Sequence, residues 1–382
     1  MTRTALVVTT INDGQFCEFL QPVMETAPSE ISLIVIGDHK TSPSCGEAIA
    51  RLAASGLDAT WLGVAEQREW LTRIPEFGRH VPWNSDNRRN IGVLEAWRRG
   101  FDAIVSIDDD NVPLSADGFL RRGLALDHKL ERQIVTAGDN RWVNVCELLE
   151  CRSRHDGGAL HVFPRGHPYS RRDAPGLKIQ DLPKPLSAVL HLGLWLDEPD
   201  VDAATRGSVA PLALRARIDT PVLMPLGARA ALSSQNQAVA RRLVPAWWFA
   251  RMGRIAGDVV IDRYGDMLQG YFACMAIEAM GERIAVGPPL VQHRRNAHSL
   301  VNDLSLELPG ATLLEAMLPL IEAPLPAANS YDHAYRQIAD SLTDWARTAH
   351  AALWGDNLPR WADETADTMN AWCDACRALD AG

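Results

Sequence analysis

The 382-residue sequence is short of the features that mark several protein classes. Its seven cysteines cannot all pair within one chain, and they supply no two Cys-x-x-Cys motifs of the kind a zinc ribbon needs. A disulfide scaffold and a zinc ribbon are therefore excluded, and a reducing cytoplasm is the expected setting. Basic residues are outnumbered, 38 Lys and Arg against 48 Asp and Glu, and the resulting charge of −10 disfavours nucleic acid as a partner. The most apolar stretches are broken by Gly, Pro or charge, so no window reads as the roughly 20 apolar residues of a membrane helix. The N-terminal run Ala5 to Thr10 ends at Asn12-Asp13-Gly14 without a small-residue cleavage pattern. Neither membrane attachment nor export is expected. Internal repeats and long linkers are also missing.

What is present is ordinary for a globular protein, with 47% hydrophobic and 23% charged residues, which excludes intrinsic disorder. The first 110 residues alternate strand-like and helix-like patterns: Ala5 to Thr10, Phe16 to Met24, Ile31 to Ile36, Gly46 to Ser55, Asp58 to Leu62 and Val64 to Leu71. Such alternation predicts a parallel α/β sheet. Ile91, Leu94 and Trp97 recur at helical spacing between Asn87 and Arg99, Gly100 reads as a helix stop, and Ala103 to Ile107 reads as a buried strand. Further on, Pro183 to Pro185 punctuates the chain and Val189 to Leu196 is strand-like. Trp247-Trp248-Phe249 fits a buried helix or an exposed patch. Beyond Pro309 two helical stripes follow, through Tyr335 to Ala349 and Trp361 to Leu379, both packing faces. The pattern divides the chain into an α/β half over 1–130, a more mixed part over 131–308 and a helical extension over 309–382.

Asp108, Asp109 and Asp110 follow the Ala103 to Ile107 strand directly. In open α/β sheets ligands bind beyond the carboxyl ends of strands. On an extended segment residues 108 and 110 point the same way, and carboxylates suit Mg²⁺ or Mn²⁺, ions that bridge the phosphates of a nucleotide diphosphate. A solvated acidic loop is the alternative. Arg88 and Arg89 stand at a helix start, where the macrodipole disfavours cations. Either a bound phosphate compensates them or a salt bridge to Asp86 or another carboxylate does. His293, at the end of a short apolar run, is a metal ligand or a structural hydrogen bonder. Asp266, before the helical Met267 to Met280, is a helix cap or a general base.

Taken together these segments resemble the reversibly glycosylated polypeptide family, the plant UDP-arabinopyranose mutases and their bacterial relatives, and more distantly other GT-A glycosyltransferases. Asn87-Arg88-Arg89-Asn90 resembles that family's RRN segment, and Ser106 to Pro113 its SIDDD-x-x-P motif. Arg165 to Arg172 is similar to RGYPFSLR, Gly193 to Ala203 to GLWLN-x-PD-x-DA, Arg263 to Met267 to RYDDM, and His293 to the His of WHSKA. Ile36-Gly37-Asp38-His39-Lys40-Thr41 is closer to the GD-x-KT segment of the distant GT-A relatives.

The resemblance implies a GT-A fold, a Rossmann-like nucleotide-binding sheet with a C-terminal helical extension, together with a UDP-sugar, Mn²⁺ or Mg²⁺, and a possible homo-oligomer. Carried over residue by residue, it makes Asp108, Asp110 and His293 metal ligands. Asp38 and Lys40 become nucleotide contacts, with Asp109 close to the ion; Arg88 and Arg89, read above as phosphate contacts, face the leaving diphosphate, and apart from the resemblance Trp195, one of 12 Trp, is a candidate sugar-stacking platform, core or interface packing being the alternative. Arg172 falls on the arginine that becomes glycosylated, and Asp266 on an acidic position facing the sugar. The departures lie on the sugar side: Gly265 stands for the first acid of RYDDM, His167 and Tyr169 for Tyr and Phe, and Arg171 for Leu. Three outcomes are carried forward: pyranose/furanose mutation of a UDP-sugar, transfer to a separate acceptor, and nucleotide-sugar binding without turnover.

Overall fold

The computed structural model describes residues 2–380 apart from 122–125, 127, 137–139, 174, 175, 257, 258, 296–298 and 352. The N-terminal alternation folds as β1 (Thr4–Thr9), α1 (Phe16–Glu25), β2 (Ile31–Ile36), α2 (Pro43–Ala54), β3 (Asp58–Leu62), α3 (Val64–Leu71), the single turn α4 (Pro75–Gly78), α5 (Arg89–Arg98) and β4 (Ala103–Ile107). These strands lie in the order β3-β2-β1-β4 with every pairing parallel. β2 and β4 are buried along their whole length and β1 all but at Thr9, as expected of parallel strands covered on both faces. Their carboxyl ends therefore open at one edge, which is where the site forms.

The rest of the chain supplies β5 (Asn111–Pro113), α6 (Ala116–Arg121), β6 (Leu130–Val135), β7 (Leu149–Ser153), β8 (Ala159–Leu160), β9 (Lys178–Leu186), β10 (Leu190–Asp197), α7 (Ala203–Val209), β11 (Pro211–Ala216) and β12 (Val222–Leu223). After these come β13 (Asn236–Ala240), β14 (Gly253–Ala256), β15 (Val259–Ile261), α8 (Gly265–Ala279), β16 (Ile284–His293), α9 (Leu300–Glu322), α10 (Tyr331–Ala346) and α11 (Asn357–Asp380). The sheet continues past β4 through β13, antiparallel to both its neighbours, then β10, β16, β12, β6 and β9. β5 pairs with the end of β16 and sets Asn111 opposite His293. That one ladder brings the acidic turn beside a residue 180 positions later in the chain.

Helix α5 rides unusually low on the sheet. A Cβ at Gly92 would lie 2.3 Å from Ile36 Cδ1 and 2.7 Å from Val7 Cγ1, so only glycine lets the helix descend between β1 and β2. Gly100 closes the helix with φ of 72°. The helix N-terminus, and with it Arg88 and Arg89, is thereby held over the strand ends.

Several sequence expectations need correction. Pro183 and Pro185 do not break the chain but sit within β9, at the outer edge of the sheet, where a missing N–H costs no ladder bond. Residues 247–249 are buried but not helical; they follow a 3₁₀ turn over Arg241–Ala246. Helix α9 begins at Leu300, not after Pro309, and carries Pro309 and Pro319 inside it. Burial of Leu313, Leu314, Met317, Leu318 and Ile321 outweighs the roughly 3 kcal/mol cost of an interior proline. Counted as one helix, α9 is long and apolar enough to cross a membrane, contrary to the sequence expectation, and 44% of its apolar window is buried against the domain. The stripes on α10 and α11 pack inward: Tyr335, Ile338, Leu342, Trp361, Met369 and Trp372 are all buried. Cys373 and Cys376 lie on that inner face of α11, and all seven cysteines are free and buried.

His191 is buried in β10. Its Nε2 lies 3.0 Å from the Gly287 carbonyl and must donate to it. Burial pushes its pKa down to about 4 from the ordinary 6.5. A histidine depressed in the native state contributes stability above its unfolded pKa, and that contribution is lost as pH falls from about 6.5 towards 4. Over that window His191→Gln is expected to flatten the fall of unfolding free energy by about 1.4 kcal/mol per pH unit; denaturant titrations at stepped pH with an unchanged slope would refute this.

Candidate functional site

The carboxyl ends of β1, β2 and β4 enclose a cleft of about 580 Å³. Thr9, Thr10, Gly37, Asp38, Lys40, Asn84, Ser85, Asp86, Arg88, Arg89 and the Asp108–Asp110 turn line it. Arg89 is the knot. Its guanidinium, nearly all hidden from solvent, donates to Asp86 Oδ1 at 2.9 Å, Asp108 Oδ1 at 2.6 Å, Thr9 Oγ1 at 2.9 Å and Ser106 Oγ. It thus ties the start of α5 to the ends of β1 and β4, and of the two expectations for Arg89, phosphate or salt bridge, the structure shows the salt bridge, to both Asp86 and Asp108.

Arg88 behaves differently. Its Nε donates to Gln67 Oε1 at 2.7 Å and its Nη1 to the Val81 carbonyl at 3.1 Å, while its plane lies 3.4 Å from the centre of the Trp83 ring. Nη2 is buried without a partner. Burial lowers its pKa to about 10, only partly offset by Asp38. A buried guanidinium with no carboxylate in contact is a standing site for an anion. Asp38 accepts from the His39 and Ser85 amides at 2.7 and 3.2 Å, and Lys40 is exposed at the rim.

Along the acidic turn, Asp109 accepts from Thr10 Oγ1 and from Asn12 Nδ2 at 2.8 Å. Asp110 Oδ2 lies 3.5 Å from His293 Nε2. His293 Nδ1 is 2.7 Å from the Glu198 carbonyl, which can only accept, so Nδ1 carries a hydrogen and Nε2 faces Asp110, donating to it when the ring is protonated and offering a lone pair when it is neutral. The Nδ1 bond is the outer hydrogen bond that orients a metal-ligating imidazole. Burial raises the carboxyl of Asp108, with Asp86 and Asp110 adding to it and Arg89 opposing, and burial likewise raises Asp109. Burial disfavours a charged His293, but hydrogen bonding to Asp110 and its charge overcome this and raise its pKa.

Whether a divalent cation fits follows from the donors. Five carboxylates line the cleft against three cationic side chains, an excess of two negative charges that one such ion would neutralise. Asp110 and His293 are close enough for both to reach an ion at about 2.1 Å. Among the described residues no three His, Cys, Asp or Glu side chains converge on one point, because Asp108 is turned towards Arg89. The set fits an ion, with Asp108 needing to turn from its pair.

The residues expected on the sugar side form a second, buried cluster. Arg165 grips Asp200 through Nε and Nη2 at 3.0 and 2.9 Å, and Asp266 through Nη1 and Nη2 at 3.1 and 2.9 Å. Asp266 is therefore not a helix cap; Tyr264 holds that position, and Asp266 pairs with Arg165. It also accepts from the Ser234 amide at 3.4 Å, while the Ser234 carbonyl accepts from Ser106 Oγ at 2.7 Å and from Arg89 at 3.4 Å. One residue of backbone thus separates Asp266 from the Arg89 knot. Arg172 donates to Asp202 Oδ2 at 2.6 Å and stacks 3.8 Å from the centre of the Tyr169 ring. Trp195 is fully buried within β10 and presents no face to solvent. Neither Arg172, Asp266 nor Trp195 lines the cleft.

Sequence reasoning missed the role of the two asparagines around the arginine pair. Asn87 Nδ2 donates to the Phe249 and Ala250 carbonyls at 3.0 and 2.5 Å and its Oδ1 accepts from the Met252 amide, while Asn90 makes a reciprocal pair with Phe249. They clamp the 249–252 segment under the start of α8. There a Cβ on Gly265 would lie 2.4 Å from the Ala250 carbonyl oxygen, so the position of the missing acid is filled by backbone. Arg165 and Asp200 were also missed as partners, although both fall inside motif segments.

Removing one side of a buried ion pair strands the other. Arg89→Met is expected to cost about 3–5 kcal/mol of stability, read as a lowered urea midpoint; a loss below about 1 kcal/mol would contradict a central tie.

The family model described as reversibly glycosylated polypeptide matches residues 157–381, beginning after the acidic turn. UDP-arabinopyranose mutase 3 of Arabidopsis thaliana is 32% identical over 181 residues, 46% of each chain. Probable UDP-arabinopyranose mutase 2 of Solanum tuberosum is 28% identical over 222 residues, 57% of this chain and 54% of that one. The chain spans about half the length of the curated relatives it matches. Among solved structures, the mannosyltransferase PcManGT from Pyrobaculum calidifontis in complex with GDP-Man and Mn²⁺ is similar at 12% identity and a TM-score of 0.39, over 99% of this chain and 87% of that one. S. aureus TarS 1-349 in complex with UDP-GlcNAc is similar at 11% identity and a TM-score of 0.40, over 98% and 91%. With a family match over more than half its length, the chain belongs to the reversibly glycosylated polypeptide family.

Proposed function

We propose that the chain is a metal-dependent enzyme of the GT-A type that cleaves the bond between a sugar's anomeric carbon and UDP, and that it returns the nucleotide to the same sugar as a pyranose/furanose mutase. The observation that carries this reading is the cleft at the strand ends, where an excess of carboxylate stands beside a buried guanidinium, Arg88, with an unpartnered donor. Relatives named UDP-arabinopyranose mutase support the donor class.

Asp110, His293 and a turned Asp108 would hold the ion, and the imidazole in the set favours Mn²⁺ over Mg²⁺. Bound there, it supplies positive charge to the diphosphate as the leaving group develops negative charge. The chain's own residues do the rest. Arg88 Nη2, the unpartnered donor, is the group offered to a phosphate oxygen, and Arg89, still held by Asp86, Thr9 and Ser106 when Asp108 turns to the ion, adds fixed positive charge. Asp38 and Lys40 hold the nucleoside end, and Asp109 keeps the Thr10–Asn12 turn closed over it. Asp266 and Arg172 lie outside the cleft, paired with Arg165 and Asp202; the family likeness assigns them to the sugar, Asp266 as a carboxylate facing it and Arg172 as a transient glycosyl carrier or a phosphate contact. The cytoplasm is the proposed setting.

Transfer to a separate acceptor is the second reading, favoured by one observation: the backbone at Ala250 occupies the space where the first acid of the related RYDDM segment would stand. Incubating the protein with UDP-arabinose and Mn²⁺ and assigning ring forms by NMR decides between them. The furanose form is expected. Its absence with every UDP-sugar offered, alongside sugar transfer to added glycosides, would replace the mutase by the transferase. Chelation, or Asp110→Asn, is expected to lower turnover by at least about 100-fold; full activity in either case would remove the metal assignment.

A further inference from the structure

Arg88 and Arg89 are consecutive and both buried, yet only Arg89 has met its counter-charge. Arg89 is held by two carboxylates, whereas the groups that accept from Arg88 are neutral: the Val81 carbonyl and Gln67, on the inner face of α3. Gln67 is fully buried and its amide is in full use. Nε2 donates to the Gly37 and Leu62 carbonyls, both at 2.7 Å, and Oε1 accepts from Arg88 Nε at 2.7 Å. The orientation is forced, because a flipped amide would set its oxygen against two carbonyls and its N–H groups against a guanidinium. One side chain outside the cleft lining thereby ties the ends of β2 and β3 to Arg88.

Which edge of the guanidinium Gln67 occupies is the decisive point. Nε and Nη2 together form the edge that a carboxylate takes side-on. Elsewhere in this chain a carboxylate does take it: Glu95 at Arg98, Asp200 at Arg165 and Glu322 at Arg171 each accept from both nitrogens, at 2.8 to 3.0 Å. At Arg88 an amide stands on that edge and brings only one oxygen. Nε is taken and Nη2 is left over. The Trp83 ring, with its centre 3.4 Å from the guanidinium, holds the plane in place. A carboxylate of the same shape would close both bonds and set a negative charge against the positive one, leaving little to attract an anion from the cleft.

We infer that Gln67 is a positioning residue that reserves Arg88 for an anionic ligand: it aims the guanidinium through Nε and, being neutral, leaves Nη2 and the positive charge for that ligand. The inference rests on the nucleotide-sugar reading of the cleft, which makes the anion a diphosphate. Gln67 touches no ligand itself and acts through Arg88 alone, so its effect on binding disappears when Arg88 is removed.

A double-mutant cycle on the full chain tests this, with UDP affinity in the presence of Mn²⁺ read by calorimetry and stability by urea midpoint. Gln67→Glu is expected to weaken UDP by about tenfold or more, the worth of one charge-assisted hydrogen bond. Gln67→Met, which removes the same bonds without adding a charge, is expected to weaken it by about threefold. In an Arg88→Gln background neither is expected to change UDP affinity by more than about twofold. The Gln67→Met arm decides the matter by itself if Gln67→Glu does not fold. Losses that follow the urea midpoint and are equal in both backgrounds would reduce Gln67 to a packing role and overturn the inference, as would unaltered affinity in both Gln67 variants. UDP bound as tightly by Arg88→Gln as by the unaltered protein would overturn it while leaving the nucleotide reading in place. No UDP binding by the unaltered protein would remove that reading and the inference with it.

Discussion

The buried guanidinium of Arg89 is the constraint around which the site is arranged. It reaches two carboxylates and two hydroxyls on three separate elements, and no other side chain in the cleft joins so many. Alone in the interior its charge would be untenable; held by Asp86 and Asp108 it is kept ionised well above the usual arginine range. The helix that delivers it can approach because Gly92 has no side chain. A backbone detail in the middle of α5 thus fixes the position of a charge at its end.

From that knot two consequences spread in opposite directions. Towards the cleft, Asp108 pairs with Arg89 and Asp110 faces His293, while Arg88, held by Gln67 and Val81, keeps one buried donor without a partner. Towards the interior, the Ser234 backbone links Arg89 to Asp266, whose own charge is shared with Arg165 and Asp200. The cleft and the buried cluster are thus joined through one stretch of backbone, by two hydrogen bonds of 3.4 Å at Ser234.

Much of the strand-end cleft was legible in advance. The Ala103–Ile107 strand has the predicted bounds, the helix before it begins within two residues of the expected place, and the acidic triplet falls at the strand's carboxyl end because apolar runs and charge switches are local signals. The buried Arg165 cluster was legible only as motif segments. Nothing within Arg165 to Arg172 says that its first arginine will hold carboxylates from two other stretches, or that Trp195 will be sealed inside a strand. Pro309 misled for the same reason: the local cost of a proline was visible and the five buried side chains that offset it were not.

By itself the sequence determined which chemistry was available: an acidic turn after a buried strand, two arginines at a helix start, and an ordered series of segments that resemble one family. Period and composition suffice for that, since they depend on neighbours in the chain. The tertiary structure decided who pairs with whom. His293 reaches Asp110 through the β5–β16 ladder, Asp266 gives up its cap to Arg165, and the asparagines beside Arg88 and Arg89 serve as clamps on a segment 160 residues away. Those choices turn on contacts between distant segments, and an isolated charge cannot say which opposite charge will be near when water is gone.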